Sequence, residues 1–528
     1  MRAVNSILAR INRRSSVNAA AVIISVSYLA SRLLGLLRDR LLVAHFGLSP
    51  QADAYTAAFR LPELLFTLLV SGAFAVAFIP VFTERLSKDQ RQQAWELSSS
   101  LLNILVLVTA GIAIVAAIFA DPITTLLTPG FDQYRHDLTV GLTRIMLVTP
   151  VLFAISSVLG SIAQAFNRFV IFALASVFYN IGIIIGIVFL SPDNSIYGVA
   201  YGVVIGAALQ AGMQTLSLLG LGFRYDLRLR LRSRDVHRVI KLVIPRSIDQ
   251  GIQQINFIIE TIIGSRLATG SLATLTYANN LRSVPLALVG NAVATAAFPR
   301  MAANAARGAM DKLIRDFVIN SRLILFLVLP AAIVTVLMRG YIVRLLYGFG
   351  DVTTANTLGW FAGTIVFSAL FFLISRVFYA MQDTKTPLYV SIVVIVLNIG
   401  LSFGLSEIYG VVGLAMAQSI VATLQAIALL IILQRRLGNI GLREIWRGLS
   451  RMLIAGAIMA GATYIMVAAV LPLYASDLGF MTVGPKFLAI IGVATVAYLI
   501  PCYLLDLREA HQFTRKLKDQ ILKPLDLT

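Results

Sequence analysis

The residues in this chain best suited to chemistry are arginines set inside apolar sequence: Arg32, Arg60, Arg246, Arg282 and Arg376. An ionisable side chain at membrane depth is costly, and it ordinarily faces a bundle interior or a water-filled cavity. A guanidinium stays charged there and binds phosphate in a bidentate fork. A cluster of arginines therefore suits an anionic, phosphate-bearing ligand. The stretch from Ser31 to Pro80 carries Arg32 and Arg60 and is expected to line the working cavity. Arg246 and Arg376 lie nearer the ends of their segments, where a long side chain reaches the interface; Arg60 and Arg282 admit the same reading. The acids in apolar sequence are Glu63, Asp249 and Glu260. Glu63 follows Arg60, and Asp249 follows Arg246, at the spacing of a same-face helix pair. Glu260 shares its segment with Gln253, Gln254 and Asn256, which suits either a coupling cation or a paired arginine. Asn180 and Asn398 are polar residues in apolar segments, where hydrogen bonding between helices is the ordinary role.

The elements that must position these residues follow from composition. Of 528 residues, 58% are hydrophobic and 13% charged, with a mean hydropathy of +0.84. A soluble chain would carry about 25% charged residues, so this one reads as an all-α polytopic membrane protein. A span needs about 20 apolar residues, which gives about fourteen transmembrane helices, the first over 17–37, the seventh over 240–264 and the last over 484–506. The net charge of +19 is dispersed over short loops, which points to membrane topology and away from nucleic acid. Basic residues recur in the N-terminal tail, in alternate loops and in the C-terminal tail, and are densest from Arg224 to Lys241. By the positive-inside rule both termini are then cytoplasmic. The N-terminus is basic and then apolar, but no A-x-A-like site interrupts the run, so a retained first helix is expected. Cys502 is the only cysteine and the histidines are scattered, which excludes an internal disulfide and argues against a metal site built on them. There is no Walker A motif, nucleophile elbow or paired-histidine zinc helix, so neither an ATP-driven pump nor an enzyme is expected.

The chain also repeats itself. Ser31-Arg32-Leu33 returns as Ser265-Arg266-Leu267. Tyr55-x4-Arg60 followed by Ala77-Phe78-Ile79-Pro80 returns as Tyr277-x4-Arg282 followed by Ala297-Phe298-Pro299. Asn180-Ile181-Gly182 returns as Asn398-Ile399-Gly400, and Ile196-Tyr197-Gly198-Val199 as Ile408-Tyr409-Gly410-Val411. Each copy holds an even number of spans. The copies therefore form two six-helix lobes related by a pseudo-two-fold along the membrane normal, with the substrate site expected between them. The expected division is an N-lobe over 1–222, a basic cytoplasmic linker over 223–241, a C-lobe over 242–436, and two extra C-terminal helices with a tail over 437–528. Pro62, Pro80, Pro245 and Pro285 mark expected kinks.

The run from Ser31 to Asp39, SRLLGLLRD, resembles the start of the MurJ (MviN) lipid II flippases of the multidrug/oligosaccharidyl-lipid/polysaccharide exporter superfamily. So do Asp53-Ala54, Leu61-Pro62, Gly72-Ala73-Phe74, Pro129-Gly130-Phe131, Asn167-Arg168-Phe169 and Gln382-Asp383-Thr384-Lys385-Thr386-Pro387. The resemblance implies a V-shaped central cavity and alternating access. It implies transport of undecaprenyl-pyrophosphate-linked peptidoglycan precursor to the outer leaflet of a bacterial inner membrane. The extra helices would form a groove for the lipid tail, and cell-wall synthesis proteins would be partners. The family's first-helix cationic positions are Arg32 and Arg38 here, with Asp39 and Asp53 as acidic partners. Other positions depart: expected arginines are Phe66 and Asn280, and the acid expected before Gly72 is Ser71. Arg60 and Arg282, close to the lost positions, are expected to substitute. A sodium site maps by the same resemblance to Glu260, Asn398, Ser402, Leu414 and Gln418, with Ser402 in place of a second carboxylate. No other cofactor is implied, and the membrane potential and proton coupling stand as alternatives to sodium. The residues leave open a flippase for another polyprenyl-pyrophosphate-linked oligosaccharide, an exporter of small amphiphiles, and a transport-dead scaffold for cell-wall assembly.

Overall fold

The computed structural model describes residues 17–70, 73–191 and 195–512, and every regular element among them is helical. The chain divides into two compact units, Met1–Ala273 and Thr274–Thr528.

The first unit contains α1 (Val17–Phe46), α2 (Pro50–Ala58), α3 (Arg60–Leu69), α4 (Ala73–Ser87), α5 (Arg91–Ile118) and α6 (Ala120–Leu127). It continues with α7 (Gln133–Met146), α8 (Thr149–Ala165), α9 (Phe169–Phe189), α10 (Ile196–Ser217) and α11 (Arg234–Ser265). Local chemistry sets several starts. Ser49 accepts from the Ala52 amide at 3.3 Å while Pro50 occupies the first turn of α2. Asp132 caps α7 through the Arg135 amide at 3.0 Å. The backbone bond holds the Asp132 carboxyl below its ordinary range. A ladder of rings, Phe74, Phe78, Phe82 and Trp95, ties α4 to α5, with successive centroids 5.4, 5.1 and 5.7 Å apart.

The basic segment before α11 is laid along α5. Ser99 and Ser100 accept from the Asp226 and Arg230 amides at 3.1 and 2.9 Å. Arg85 forks onto Asp235 at 2.8 and 2.9 Å, which fixes the start of α11 beside α4. α11 itself packs on α3 and α4. The compact first unit therefore extends past the 223–241 segment and takes in α11.

α12 (Ser271–Pro285) starts at the end of the first unit and continues into the second. A π-helical turn, Leu286–Asn291, follows Pro285. Then come α13 (Ala292–Ala306), α14 (Met310–Leu337), α15 (Arg339–Tyr347), α16 (Val352–Ala380), α17 (Lys385–Tyr409) and α18 (Val411–Leu437). Their core holds Met301, Phe317, Phe378 and Leu429. The two added helices, α19 (Leu442–Ile465) and α20 (Phe480–Leu504), pack on each other and on α14 and α15. Tyr498 donates to the Phe326 carbonyl at 3.0 Å, and Arg322 forks onto Glu509 at 2.6 and 3.0 Å.

Among the described residues, 12 helical stretches are long and apolar enough to cross a membrane. They match all the expected spans except the first and seventh. Those two fall in α1 and α11, of 30 and 32 residues, where part of the side chains lie outside the described set. Large apolar side chains such as Ile114, Phe189 and Leu504 are exposed, as lipid-facing residues would be. The chain is a multi-pass membrane protein.

Candidate functional site

α1 carries both arginines expected at the head of the site. Arg32 is exposed, and Arg38 is half-buried. The Arg38 guanidinium donates through Nε and Nη2 to Asp39 Oδ1 at 2.9 and 2.7 Å, and through Nη1 to Asn180 Oδ1 at 3.3 Å. Asp39 is 5% exposed. Asn180, on α9, is aimed in turn: its Nδ2 donates to the Ser31 hydroxyl at 3.2 Å and to the Ser176 carbonyl at 3.1 Å. A charged fork is thus held in one orientation by a carboxylate and by an amide that is itself tied to helix backbone.

Asp53, on α2, is 1% exposed, and its oxygens accept from the Gly270 and Ala273 amides at 2.6 and 3.0 Å. Arg135 stands 4.0 Å away. A carboxylate at the first turn of α12 satisfies amides that the helix leaves unpaired, so Asp53 acts there as a cap.

Arg60 joins α3 to α11. Its Nε donates to Thr261 Oγ1 at 2.9 Å, Nη1 lies 3.5 Å from Glu63, and the group sits 5.5 Å from the Phe257 ring centre. The same-face pair expected with Glu63 is present at this long distance. Glu260 is 4% exposed and accepts from Asn256 Nδ2 at 3.2 Å. Gln254 donates to Thr67 at 3.0 Å.

In the second unit Arg282 donates to Asn279 Oδ1 at 2.6 Å and to Gln418 Oε1, and lies 4.1 Å from the Phe361 ring centre. It therefore links α12 to α18 and α16. Asn398 and Ser402 are buried on α17, with Leu414 and Gln418 buried on α18. Ser402 Oγ has no hydrogen-bond partner among the described residues. Arg376 stacks at 5.4 Å from the Phe298 ring centre. Ser71 lies outside the described residues, as do the side chains of Pro245, Arg246, Asp249 and Gln253.

A family model described as lipid II flippase MurJ matches residues 42–483. The chain belongs to this family. Two relatives named probable lipid II flippase MurJ illustrate it. The protein from Rhizobium tropici is 28% identical, over 93% of this chain and 94% of its own. That from Haemophilus influenzae is 30% identical, over 75% and 82%. Among solved structures, a lipid II flippase MurJ in an inward closed conformation superposes with a TM-score of 0.77 at 22% identity, covering 94% of this chain and 99% of that one. An inward-facing MATE family transporter superposes with a TM-score of 0.65 at 16% identity, covering 80% and 98%. The family is one of transporters, which bears out the reading of the chain as a flippase rather than an enzyme.

Sequence reasoning missed Arg168. Its Nη1 donates to the Ser217 and Leu219 carbonyls at 2.6 and 2.7 Å, closing the end of α10. An arginine just after one helix and far in sequence from another gives no periodic signal of such a partner.

Proposed function

We propose that this protein carries lipid II from the inner to the outer leaflet of a bacterial cytoplasmic membrane by alternating access. The observation that carries the reading is the oriented Arg38 fork on α1, held by Asp39 and Asn180, in a chain of the flippase family. The pyrophosphate diester of such a lipid is a delocalised dianion, and a preset guanidinium loses little entropy in meeting it. Exposed Arg32 on the same helix supplies the second charge, and Arg60 and Arg282 take the places of the arginines that Phe66 and Asn280 replace. Asp39 and Asp53 belong to the same constellation: they keep the cationic groups and α12 in place while the ligand is absent. The basic residues before α11 and in both tails support a cytoplasmic position for the termini.

Sodium as coupling ion is part of the proposal, with Asn398, Ser402 and Gln418 of the second unit as oxygen donors. The buried, unpartnered Ser402 Oγ fits that role. Gln418 Oε1 faces Arg282 and must exchange it for the ion. The described residues hold no cluster of three or more His, Cys, Asp or Glu that would bind a transition metal.

The test is complementation. A bacterium depleted of its own lipid II flippase is given this protein, and lipid II on the outer leaflet is measured. Export is expected, and Arg32→Ala or Arg38→Ala is expected to abolish it. Absence of export with the protein folded in the membrane overturns the reading.

A further inference from the structure

A cavity of about 320 Å³ opens inside the first unit, walled by α3, α4, α8, α9 and α10. That is enough for a small ligand or one ring of a larger one. The described residues that line it include no Asp, Glu, Lys or Arg, so no opposite charge is offered to a phosphate or a cation. The lining offers carboxamides and hydroxyls among aromatic rings instead. Gln210 Nε2 donates to Ser156 Oγ at 3.2 Å. Gln214 donates to the Phe172 carbonyl at 3.4 Å, yet its Oε1 has no partner among the described residues although Gln214 is 2% exposed. A buried acceptor without a donor is left desolvated and uncompensated, and a ligand that brings the donor removes that penalty. Phe66 and Phe153 supply ring surface, with centroids 5.0 Å apart. Apolar faces rimmed by hydrogen-bonding groups complement a pyranose, which carries C–H bonds on its faces and hydroxyls at its edge.

The cavity adjoins the arginine fork. Ser176 lines it, and the Ser176 carbonyl accepts from Asn180, whose Oδ1 accepts from Arg38. We propose that this cavity receives a headgroup sugar: Gln164, Gln210 and Gln214 bond its hydroxyl and amide groups, and Phe66 and Phe153 pack on its face. The proposal rests on the flippase reading, which places the pyrophosphate beside Arg38. It also gives a reason for Phe66 where the family resemblance expects arginine: the side chain walls a sugar recess rather than a phosphate site.

The experiment compares two ligands, lipid II and sugar-free undecaprenyl pyrophosphate, on the full-length protein in nanodiscs. The wild type is expected to bind lipid II more tightly. Gln214→Leu and Gln164→Leu are each expected to weaken lipid II about tenfold while leaving undecaprenyl pyrophosphate unchanged. Gln214→Leu removes an unsatisfied acceptor, so its unfolding temperature is expected to hold or rise as its selectivity falls. Gln164 is less buried, and its variant keeps the test readable should Gln214→Leu misfold. Wild-type preference for lipid II that both variants retain, or equal weakening of both ligands, overturns the recess and leaves a water-filled cavity. A wild type with no preference for lipid II overturns the recess as well, whereas a wild type that binds neither ligand overturns the flippase reading itself.

Discussion

The tripeptide Asn-Ile-Gly occurs at matched positions in the two sequence copies, on α9 and on α17, and the two do different work. On α9, a Cβ placed on Gly182 would lie 2.3 Å from the Gly206 Cα, and one on Gly206 would lie 2.3 Å from the Tyr179 carbonyl oxygen. Gly186 and Gly202 meet in the same way, so α9 and α10 touch backbone to backbone. On α17, a Cβ on Gly400 would meet nothing within 4 Å. There the close approach to α18 is made elsewhere, at Gly413, whose Cβ would lie 2.1 Å from the Leu405 carbonyl oxygen. The preceding asparagines differ too. Asn180 holds the Arg38 fork, whereas Asn398 is buried within the second unit. A repeated motif therefore marks a shared helix, and the neighbour opposite decides what each residue does.

The loops before these helices make the same point with charge. Asn167 and Gln382 both take a left-handed conformation, with φ of 60°. The residue after each reaches the end of the last helix of its copy. In the first unit Arg168 donates to backbone carbonyls of α10. In the second unit Asp383 accepts from Arg436 at the end of α18. One backbone turn is pinned by opposite charges, one pin against peptide dipoles and the other against a side chain.

The largest expected break in this comparison is Gly182→Ala, which forces α9 off α10 and costs about 1–3 kcal/mol. Gly400→Ala is expected to be neutral or to stabilise by up to about 1 kcal/mol through helix propensity. Thermal unfolding in detergent separates the two, and equal shifts would deny the difference. Next comes Arg168→Ala, which leaves two carbonyls without their charged donor and is expected to cost about 2 kcal/mol. Arg436→Ala, removing a partly exposed partner from Asp383, should cost about 0.5 kcal/mol in the same assay.

The smallest effect is a pH dependence. The Thr386 hydroxyl bond, with the Thr386 amide and Arg436, lowers the Asp383 carboxyl to about 2. An unfolded aspartate titrates near ~3.9. The contribution of Asp383 to stability is thus complete above the unfolded value and is lost as pH falls through about 2. The difference in unfolding temperature between wild type and Asp383→Asn should shrink over that window. A constant difference would show that the carboxylate charge is not what holds this turn.

Much of the site was legible as residue types. Arg32, Arg60 and Arg282 stood out because charge in apolar sequence is rare, Arg38 stood out only through the family resemblance, and the Arg60–Glu63 spacing gave its pair directly. Asp53 was legible as an acid but not as a helix cap, because the amides it meets at Gly270 and Ala273 are remote in sequence. The serines and glutamines of the cavity in the first unit gave no signal, since single polar residues on α8, α9 and α10 satisfy helix backbone as readily as they line a recess.

Apolar runs of spanning length, their number and the dispersed basic loops determined that the chain is a multi-pass helical protein, because lipid demands that each span satisfy its own backbone. The motifs determined the family. The tertiary structure alone decided which of two identical tripeptides becomes a helix seam, which arginine becomes a pin, and that α11 packs with the first unit. Those outcomes depend on which side chain stands opposite across a helix interface, and such a partner lies too far along the chain for any local pattern to name it.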